Sequence, residues 1–450
     1  MNERESSEIP SYGVVIIGAG VSGLYQLYKS REIGVSALVL ESGTDVGGTW
    51  YWNRYPGARF DSESYSYGYS FSQDLLDQWD WQERFSAQPE NLRYLQHVAE
   101  QFDLRSDIRF QSVVTQCTFD ETSNEWQVEV EDGFKVRCRF LITAIGILSK
   151  PLIPDFDGME DFKGPSFHTA QWPHDEVVFT GKRVGIIGTG ATAVQLIQEV
   201  AKTADHLTVF QRSPNWCAPL HNGPIEPAEM ADIRSRYDEI FERCRKSFSG
   251  FIHDSDERKA LDVSEEEREA LYEELYASPG FGIWIGNFRD VLVDEAANAT
   301  LSDFIARKIR ERVDDGELAE KLIPRDHGFG TRRVPMETDY YEVYNQDNVL
   351  LVDVNETPIE KVTIDGIQCS DQEHPFDLIV YATGFDAVMG PYKSIKFTGS
   401  DGRILAEKWE TGPSTYLGLA TAGFPNMFTL VGPHNASTFC NMPRCIEQNV

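Results

Sequence analysis

Residues 12–28, YGVVIIGAGVSGLYQLY, decide the fold class of this chain. The apolar run at 14–17 predicts a buried strand, and the residues after the glycines predict a helix. Gly18, Gly20 and Gly23 form a G-x-G-x-x-G motif at this junction. One glycine allows the tight turn, one lets the backbone approach a pyrophosphate, and one lets the helix pack against the strand. The stretch therefore predicts a Rossmann-like unit whose helix N-terminus faces phosphate groups.

A spaced glycine triplet is weak evidence by itself in a chain that contains 35 glycines. The next predicted strand, ALVLE, supplies a stronger indication because it ends at Glu41. This acid follows Gly18 by roughly the 20 residues expected of a carboxylate that binds a ribose hydroxyl. A surface glutamate at the end of a strand is the alternative interpretation. We predict that this loop binds an adenine dinucleotide without a 2′-phosphate.

Residues 181–197, GKRVGIIGTGATAVQLI, repeat the pattern of a strand, a tight turn and a helix. Gly188, Gly190 and Ala193 occupy the three small-residue positions of the motif. No acid follows the next predicted strand, which is followed instead by Arg212. Because arginine can pair with a 2′-phosphate, this loop is predicted to bind NADP. An exposed arginine without a ligand is the alternative.

The composition indicates an acidic, folded protein with more than one domain. The chain has 450 residues, 41% of them hydrophobic, and a formal net charge of -31. Single cores rarely grow beyond roughly 300 residues. The negative charge argues against nucleic acid and anionic membranes as partners. The polar, acidic start and the lack of a long apolar run favour a cytoplasmic location. Seven cysteines without a CxxC pair indicate no metal site and no redox dithiol.

Together the two loops predict an α/β protein with two Rossmann-like domains, one for FAD and one for NADP. The stretch 376–386, FDLIVYATGFD, predicts a buried strand that returns the chain to the first domain, so the second domain is inserted in the first. Acidic amphipathic helices predict a helical subdomain in the middle of the chain. We expect the FAD domain at 1–147 and 381–450, the NADP domain at 148–222 and 325–380, and the helical subdomain at 223–324. Such a protein is a flavoprotein that NADPH reduces.

Four stretches carry a resemblance to a known family: GGTWYWNRYPGARFDSES (47–64), FKGPSFHTAQWP (162–173), GTGATA (188–193) and YATGFD (381–386). Together they resemble the type I Baeyer-Villiger monooxygenases, which insert one oxygen atom of O2 next to a ketone carbonyl. The likeness runs along nearly the whole chain. Its most specific element is the domain-linking pattern formed by Phe162, Gly164, His168, Trp172 and Pro173. The Trp-Pro pair favours this carbonyl-oxygenating branch over flavin monooxygenases that oxygenate nitrogen or sulfur.

The resemblance implies that Arg333 is the catalytic arginine beside the flavin and that Asp61 is its paired acid. A fixed guanidinium would stabilise the deprotonated C4a-peroxyflavin that attacks the ketone, which then gives an ester or lactone. Arg332 stands where the family usually has lysine for the NADP phosphate. His168 is expected to couple the two domains, either structurally or by proton transfer. The further cofactor-binding residues implied by the resemblance are Gly48, Thr49, Trp50, Tyr67 and Ser213.

The sequence leaves competing functions open. A flavin monooxygenase acting on nitrogen or sulfur would use the neutral hydroperoxide and would not need Arg333. A disulfide reductase would need a cysteine pair near the flavin, which the first loop's domain does not offer. A non-catalytic FAD- and NADP-binding protein is a third possibility. Family members continue beyond the position of Val450, so we expect the chain to be truncated. The ketone and the oligomeric state are not identified.

Overall fold

Two sheets rich in parallel strands organise the computed structural model, which describes residues 9–247, 249–435 and 440–450. The strands, in chain order, are β1 (Ser11–Ile17), β2 (Ala37–Leu40), β3 (Ile108–Arg109), β4 (Val114–Asp120), β5 (Glu125–Val130), β6 (Lys135–Thr143), β7 (Ser166–His168), β8 (Arg183–Ile187), β9 (His206–Gln211), β10 (Ala218–Pro219), β11 (Met336–Glu337), β12 (Val349–Asp353), β13 (Ile359–Val362), β14 (Gly366–Cys369), β15 (Glu373–Pro375), β16 (Leu378–Tyr381), β17 (Lys396–Thr398) and β18 (Met427–Thr429).

Most of the helices lie between strands in the sequence, and they either cover the two sheets or form the insert in the middle of the chain. They are α1 (Val21–Glu32), α2 (Thr49–Trp52), α3 (Ser64–Tyr67), α4 (Gln73–Gln78), α5 (Gln88–Gln101), α6 (Ala191–Ala201), α7 (Pro227–Ser235), α8 (Tyr237–Lys246), α9 (Glu265–Ala277), α10 (Gly282–Ile285), α11 (Glu295–Arg312), α12 (Gly316–Leu322), α13 (Gly390–Lys393), α14 (Leu405–Lys408) and α15 (Met442–Asn449).

The first sheet contains the first glycine loop. Its strand order is β17-β4-β5-β6-β1-β2-β3, and β18 pairs with β6. β1 pairs in parallel with β2 and β6, whereas β4, β5 and β6 form an antiparallel meander. Val15 and Ile16 in β1 are fully buried, as a strand covered on both faces requires. Because β17 and β18 come from the last part of the chain, the first unit is discontinuous in sequence.

The second sheet is parallel throughout, with the order β12-β9-β8-β16-β7. The return strand β16 lies between β8 and β7. All five strands come from residues 166–381, between the two parts of the first sheet. The predicted α/β fold, with a second Rossmann-like unit inserted in the first, is confirmed. Each glycine loop follows the carboxyl end of a central parallel strand, which is where open α/β sheets bind ligands.

The helical insert, α7 to α12, joins β10 to β11 and shares a core with the second sheet. Phe304 and Ile305 of α11 are fully buried in the same apolar cluster as Val184 and Ile186 of β8. α9 begins with a capping box in which the Ser264 side chain and the Glu267 side chain bond each other's backbone amides. Met230 of α7 and Phe241 of α8 lie instead in the apolar cluster of the first unit. The insert therefore packs on both units and does not form a separate core.

The cysteines differ from the expectation based on spacing. Cys440 and Cys445 form a disulfide, which a search for CxxC pairs overlooked. The other five cysteines are free and buried. Cys369, Asp371 and His374 place potential metal-ligand atoms within 4.8 Å of one another. However, Cys369 is fully buried in an apolar cluster, and burial raises the pKa of its thiol to about 11, so it packs as a neutral group.

Among the described residues, none of the helices has both the length and the apolar character to cross a bilayer.

Candidate cofactor and active site

The first glycine loop is shaped by close backbone contacts that exclude side chains. Gly18 has a φ of +103°, and a Cβ there would lie 2.6 Å from the carbonyl oxygen of Ala144. A Cβ on Gly23 would lie 1.8 Å from the carbonyl oxygen of Gly18, and one on Gly20 would lie 3.2 Å from Gly48. α1 has no side-chain cap at Gly20. These residues fit a dinucleotide because the uncapped helix N-terminus suits a pyrophosphate and the missing side chains leave room for it.

Glu41 follows β2 and faces the glycine loop. Its carboxylate accepts hydrogen bonds from the amides of Ala19, at 2.6 Å, and Gly43, at 2.7 Å. Burial raises the pKa of Glu41, and these two hydrogen bonds oppose the increase. Oε1 also accepts a 3.2 Å bond from the Ser42 hydroxyl, whereas Oε2 keeps a lone pair that can accept a bond from a ribose hydroxyl. The structure therefore places Glu41 at the loop, where it also helps to hold the turn.

The turn after β2 contributes a second wall to this loop. A Cβ on Gly48, which has a φ of +52°, would lie 2.7 Å from the Cα of Gly20. Thr49 is exposed and begins α2. The Trp50 indole donates a hydrogen bond of 3.1 Å to the Tyr67 hydroxyl, and burial raises the pKa of Tyr67 to about 12. The implied residues of the first unit are therefore contiguous with the glycine loop and hold it rigidly.

The second glycine loop joins β8 to α6 beside the end of β16. A Cβ on Gly188 would lie 2.4 Å from the carbonyl oxygen of Ala382, whereas one on Gly190 would point into open space. Ala193 is fully buried against the sheet. Gly188 and Ala193 therefore allow close packing against the sheet. Gly190 leaves space at the N-terminus of α6 for a phosphate group.

The cations of the second unit lie at the surface. Arg212 and Ser213 are exposed directly after β9, and the Ser213 carbonyl accepts a 2.8 Å hydrogen bond from Thr189 in the glycine loop. Arg332 is also exposed and forms a 2.9 Å ion pair with Asp326. The bond from Thr189 ties the segment of Arg212 to the loop. Arg332 would have to share its charge between Asp326 and a phosphate.

Arg333, in the segment that joins α12 to β11, forms an ion pair with Asp61 of the first unit. The pair joins residues that are 272 positions apart in sequence. Asp61 is buried, which raises the pKa of its carboxyl, and Arg333 opposes that increase. The guanidinium carbon lies 5.1 Å from the ring centre of Phe281 and 5.5 Å from that of Trp284. The carboxylate and the two rings hold the positive charge in a defined place.

A second pair, which was not predicted from the sequence, lies beside this one. Glu63 is buried two residues after Asp61, and its Oε1 lies 2.8 Å from Nε2 of His253. Glu63 belongs to the same RFDSES stretch as Asp61 and could have been noticed there. His253 lies in the insert and has no local motif, so no sequence pattern indicated it.

The domain-linking residues are part of the second sheet. His168 ends β7, opposite Tyr381 of β16. Its Nδ1 accepts a 3.1 Å hydrogen bond from the Ala170 amide, which places the proton on the buried Nε2. Burial lowers the pKa of His168, so the ring is neutral near pH 7. The segment around His168 is therefore an edge strand of the second sheet, an element that the sequence pattern did not predict.

The aromatic residues of this connector anchor it. Trp172 is buried and packs against Phe167 and Phe179, at ring-centre distances of 5.6 and 6.3 Å. A Cβ on Gly164 would lie 2.6 Å from the Phe162 ring, so only glycine fits there. Pro173 directly follows the Trp172 anchor. These contacts explain why apolar residues occupy a connecting segment.

Known proteins are similar to this chain over nearly its whole length. A family model described as flavin-binding monooxygenase-like matches residues 12–244. The 2-oxo-Δ3-4,5,5-trimethylcyclopentenylacetyl-CoA monooxygenase of Pseudomonas putida is 51% identical over 99% of this chain and 82% of its own length. The acetone monooxygenase (methyl acetate-forming) of Gordonia sp. is 43% identical over 96% of this chain and 81% of its own length.

Two further matches bear on the reaction and the cofactors. The phenazine N-monooxygenase PhzNO1 of Lysobacter antibioticus is 42% identical over 98% of this chain and 81% of its own length. The crystal structure of OTEMO in complex with FAD and NADP superposes with a TM-score of 0.96 at 51% identity, covering 98% of this chain and 83% of that one. The match therefore extends over both glycine loops and the insert.

Proposed function

Because this chain belongs to the flavin-binding monooxygenase-like family and, within it, to the Baeyer-Villiger monooxygenases, we propose that it inserts one oxygen atom of O2 next to the carbonyl of a small ketone. The product is an ester or a lactone. FAD and NADPH are its cofactors, and when bound they supply the hydride and the activation of O2. The observation that supports this reaction best is the guanidinium of Arg333, held by Asp61 and two aromatic rings.

A guanidinium in a fixed place stabilises negative charge that develops on a nearby oxygen atom during the reaction. The Asp61 side chain is only 10% exposed and that of Arg333 is 33% exposed, so the carboxylate is shielded from water while the guanidinium is partly open to it. Asp61 anchors the guanidinium, while Phe281 and Trp284 restrict its movement. Arg333 is accordingly the proposed catalytic residue, and Asp61 is the proposed positioning acid.

The proposed cofactor sites follow from the geometry of the two glycine loops. On the FAD side we assign Gly18, Gly20, Gly23, Glu41, Gly48, Thr49, Trp50 and Tyr67. On the NADP side we assign Gly188, Gly190, Ala193, Arg212, Ser213 and Arg332. In this proposal His168 couples the units through the chain that leaves β16 for the first unit, because its ring lies near the Ala-Thr-Gly turn that follows this strand. The domain limits given by the sequence remain the proposed division of the chain.

Oxygenation of an aromatic nitrogen is a second candidate function, favoured by the 42% identity to a phenazine N-monooxygenase. A nitrogen nucleophile attacks a neutral oxygen donor, so this reaction has no need of a fixed cation. The two candidates therefore differ in their dependence on Arg333. A cytoplasmic location is also part of the proposal: five of the seven cysteines are free, although Cys440 and Cys445 are bonded, and cell fractionation tests it.

NADPH consumption by the FAD-loaded protein tests the proposal directly. The reaction is followed with and without cyclic, linear and aryl ketones, and the products are identified by mass. We expect ketone-stimulated consumption and an ester or lactone one oxygen heavier than the ketone. Hydrogen peroxide as the sole product with every ketone would contradict the proposal. Conversion of phenazines or sulfides that persists in Arg333→Met would support the second candidate.

A further inference from the structure

The proposed reaction leaves the buried carboxylate of Glu63 without a role. Glu63 is only 5% exposed. Its Oε1 is paired with His253, but its Oε2 is buried and has no hydrogen-bond partner among the described residues. A buried polar atom without a partner is unfavourable, and in native proteins such atoms concentrate at sites with a specific task. The position of Glu63 therefore requires an explanation beyond packing.

His253 reaches Glu63 from the helical insert, between α8 and α9. The two side chains are 16% and 7% exposed, and they join positions 190 residues apart. The bond links the insert to the segment of the first unit that contains Asp61. Bonds to a charged group are stronger than those between neutral groups, and burial protects this one from water. The pair is thus a strong hydrogen bond between the helical insert and the first unit.

The same pair contacts the segment that covers Arg333. A Cβ on Gly280 would lie 2.7 Å from Oε1 of Glu63, so the backbone packs directly against the carboxylate. A Cβ on Gly282 would lie 3.9 Å from Nδ1 of His253. The Glu63 carboxylate therefore packs against the stretch 280–284, and the His253 ring lies next to it. This stretch contains the two rings packed against the guanidinium.

We infer that Glu63 and His253 are positioning residues whose hydrogen bond holds the segment 280–284 against Arg333. The pair thereby fixes the guanidinium at the place where it serves the reaction. This inference rests on the proposed function and assigns the pair no contact with the substrate. Because the role depends on an N–H donor at position 253, glutamine should replace histidine and alanine should not.

The test compares His253→Ala and His253→Gln in the FAD-loaded protein. Hydrogen exchange of the amides at 280–286 should become at least about tenfold faster in His253→Ala. The fraction of NADPH that yields oxygenated product should fall about fivefold, with hydrogen peroxide as the remainder, while the KM for NADPH stays within about twofold. His253→Gln should restore both properties. His221→Asn is the control, because this exposed imidazole lies before α7 and bonds the Tyr276 carbonyl.

Two results would overturn the inference. One is that His253→Ala has the same amide exchange rates at 280–286 and the same fraction of NADPH yielding oxygenated product as the wild type. The other is that His253→Gln restores neither property. Failure of the wild-type protein to oxygenate any ketone would count against the proposed function instead. The exchange measurement does not depend on a ketone, so it still decides whether the pair holds the segment.

Discussion

Arg333→Met removes the proposed catalytic charge and retains an apolar side chain against Phe281 and Trp284. We expect ketone-dependent product formation to fall by about 10² to 10³, the usual loss when one preorganised donor to developing negative charge is removed. The KM for NADPH should change little, because the second glycine loop is untouched. Arg332→Ala is the matched comparison: it removes the neighbouring, exposed arginine and should raise the KM for NADPH with a smaller effect on kcat.

The same substitution should also lower the stability of the protein. It leaves the buried carboxylate of Asp61 without its cation. Breaking a fully buried pair costs about 3 to 5 kcal/mol, and because the Arg333 side chain is 33% exposed we expect about 1 to 3 kcal/mol. Urea unfolding at neutral pH measures this change.

The pH dependence of this loss has a defined sign. Burial raises the pKa of Asp61 in the folded state, and removal of Arg333 raises it further. The folded state then binds the proton more tightly than the unfolded state does. The destabilisation relative to the wild type should therefore be complete above the folded pKa of Asp61 in the variant and should shrink as the pH falls toward the folded pKa of Asp61 in the wild type.

A double variant separates stability from catalysis. Arg333→Met with Asp61→Asn contains no unpaired buried charge, so it should recover most of the lost stability. It should not recover product formation, because the cation is still missing. Product formation in Arg333→Met within tenfold of the wild-type rate, or its recovery in the double variant, would refute the assigned role of the guanidinium.

Three further predictions concern the loops and the connector. Gly23→Ala should abolish FAD retention, because its Cβ would lie 1.8 Å from the Gly18 carbonyl oxygen. The flavin content after purification measures this loss, with Gly223→Ala, a loop position with open space and no positive φ, as the control. Arg212→Ala should raise the KM for NADPH about tenfold and leave that for NADH nearly unchanged, and equal effects would contradict the phosphate contact. Burial lowers the pKa of His168, so its contribution to stability is complete above the unfolded pKa of about 6.5 and decreases toward the lower folded pKa. Urea unfolding at about pH 7.5 and about pH 5.5 should show a smaller acid-induced loss in His168→Gln than in the wild type, and an equal loss would contradict the argument.

The fold could be predicted from sequence because its strongest constraints are local. Gly18 and Gly23 must lack side chains for β1 and α1 to pack, and this requirement produces a motif within a few residues. The ends of the two strands near Glu41 and Arg212 are likewise predicted from short apolar runs. The role of β7 was missed, because a three-residue strand has no periodicity that distinguishes it from a loop.

The candidate site was predicted less completely. The pairing of Arg333 with Asp61 came from resemblance, since two arginines before a proline have no distinctive spacing. The disulfide between Cys440 and Cys445 was overlooked because only CxxC spacing was considered. His253 had no motif at all, and its contact with Glu63 depends on how the insert packs on the first unit.

The sequence by itself determined the two dinucleotide loops, the insertion of one unit in the other and the family, because backbone geometry at a turn restricts residue type at neighbouring positions. Only the tertiary structure decided which side chains surround Arg333. Asp61, Glu63, His253 and the rings of Phe281 and Trp284 come from three distant parts of the chain. Their meeting results from packing between the insert and the first unit, and contacts of that kind have no local pattern in sequence.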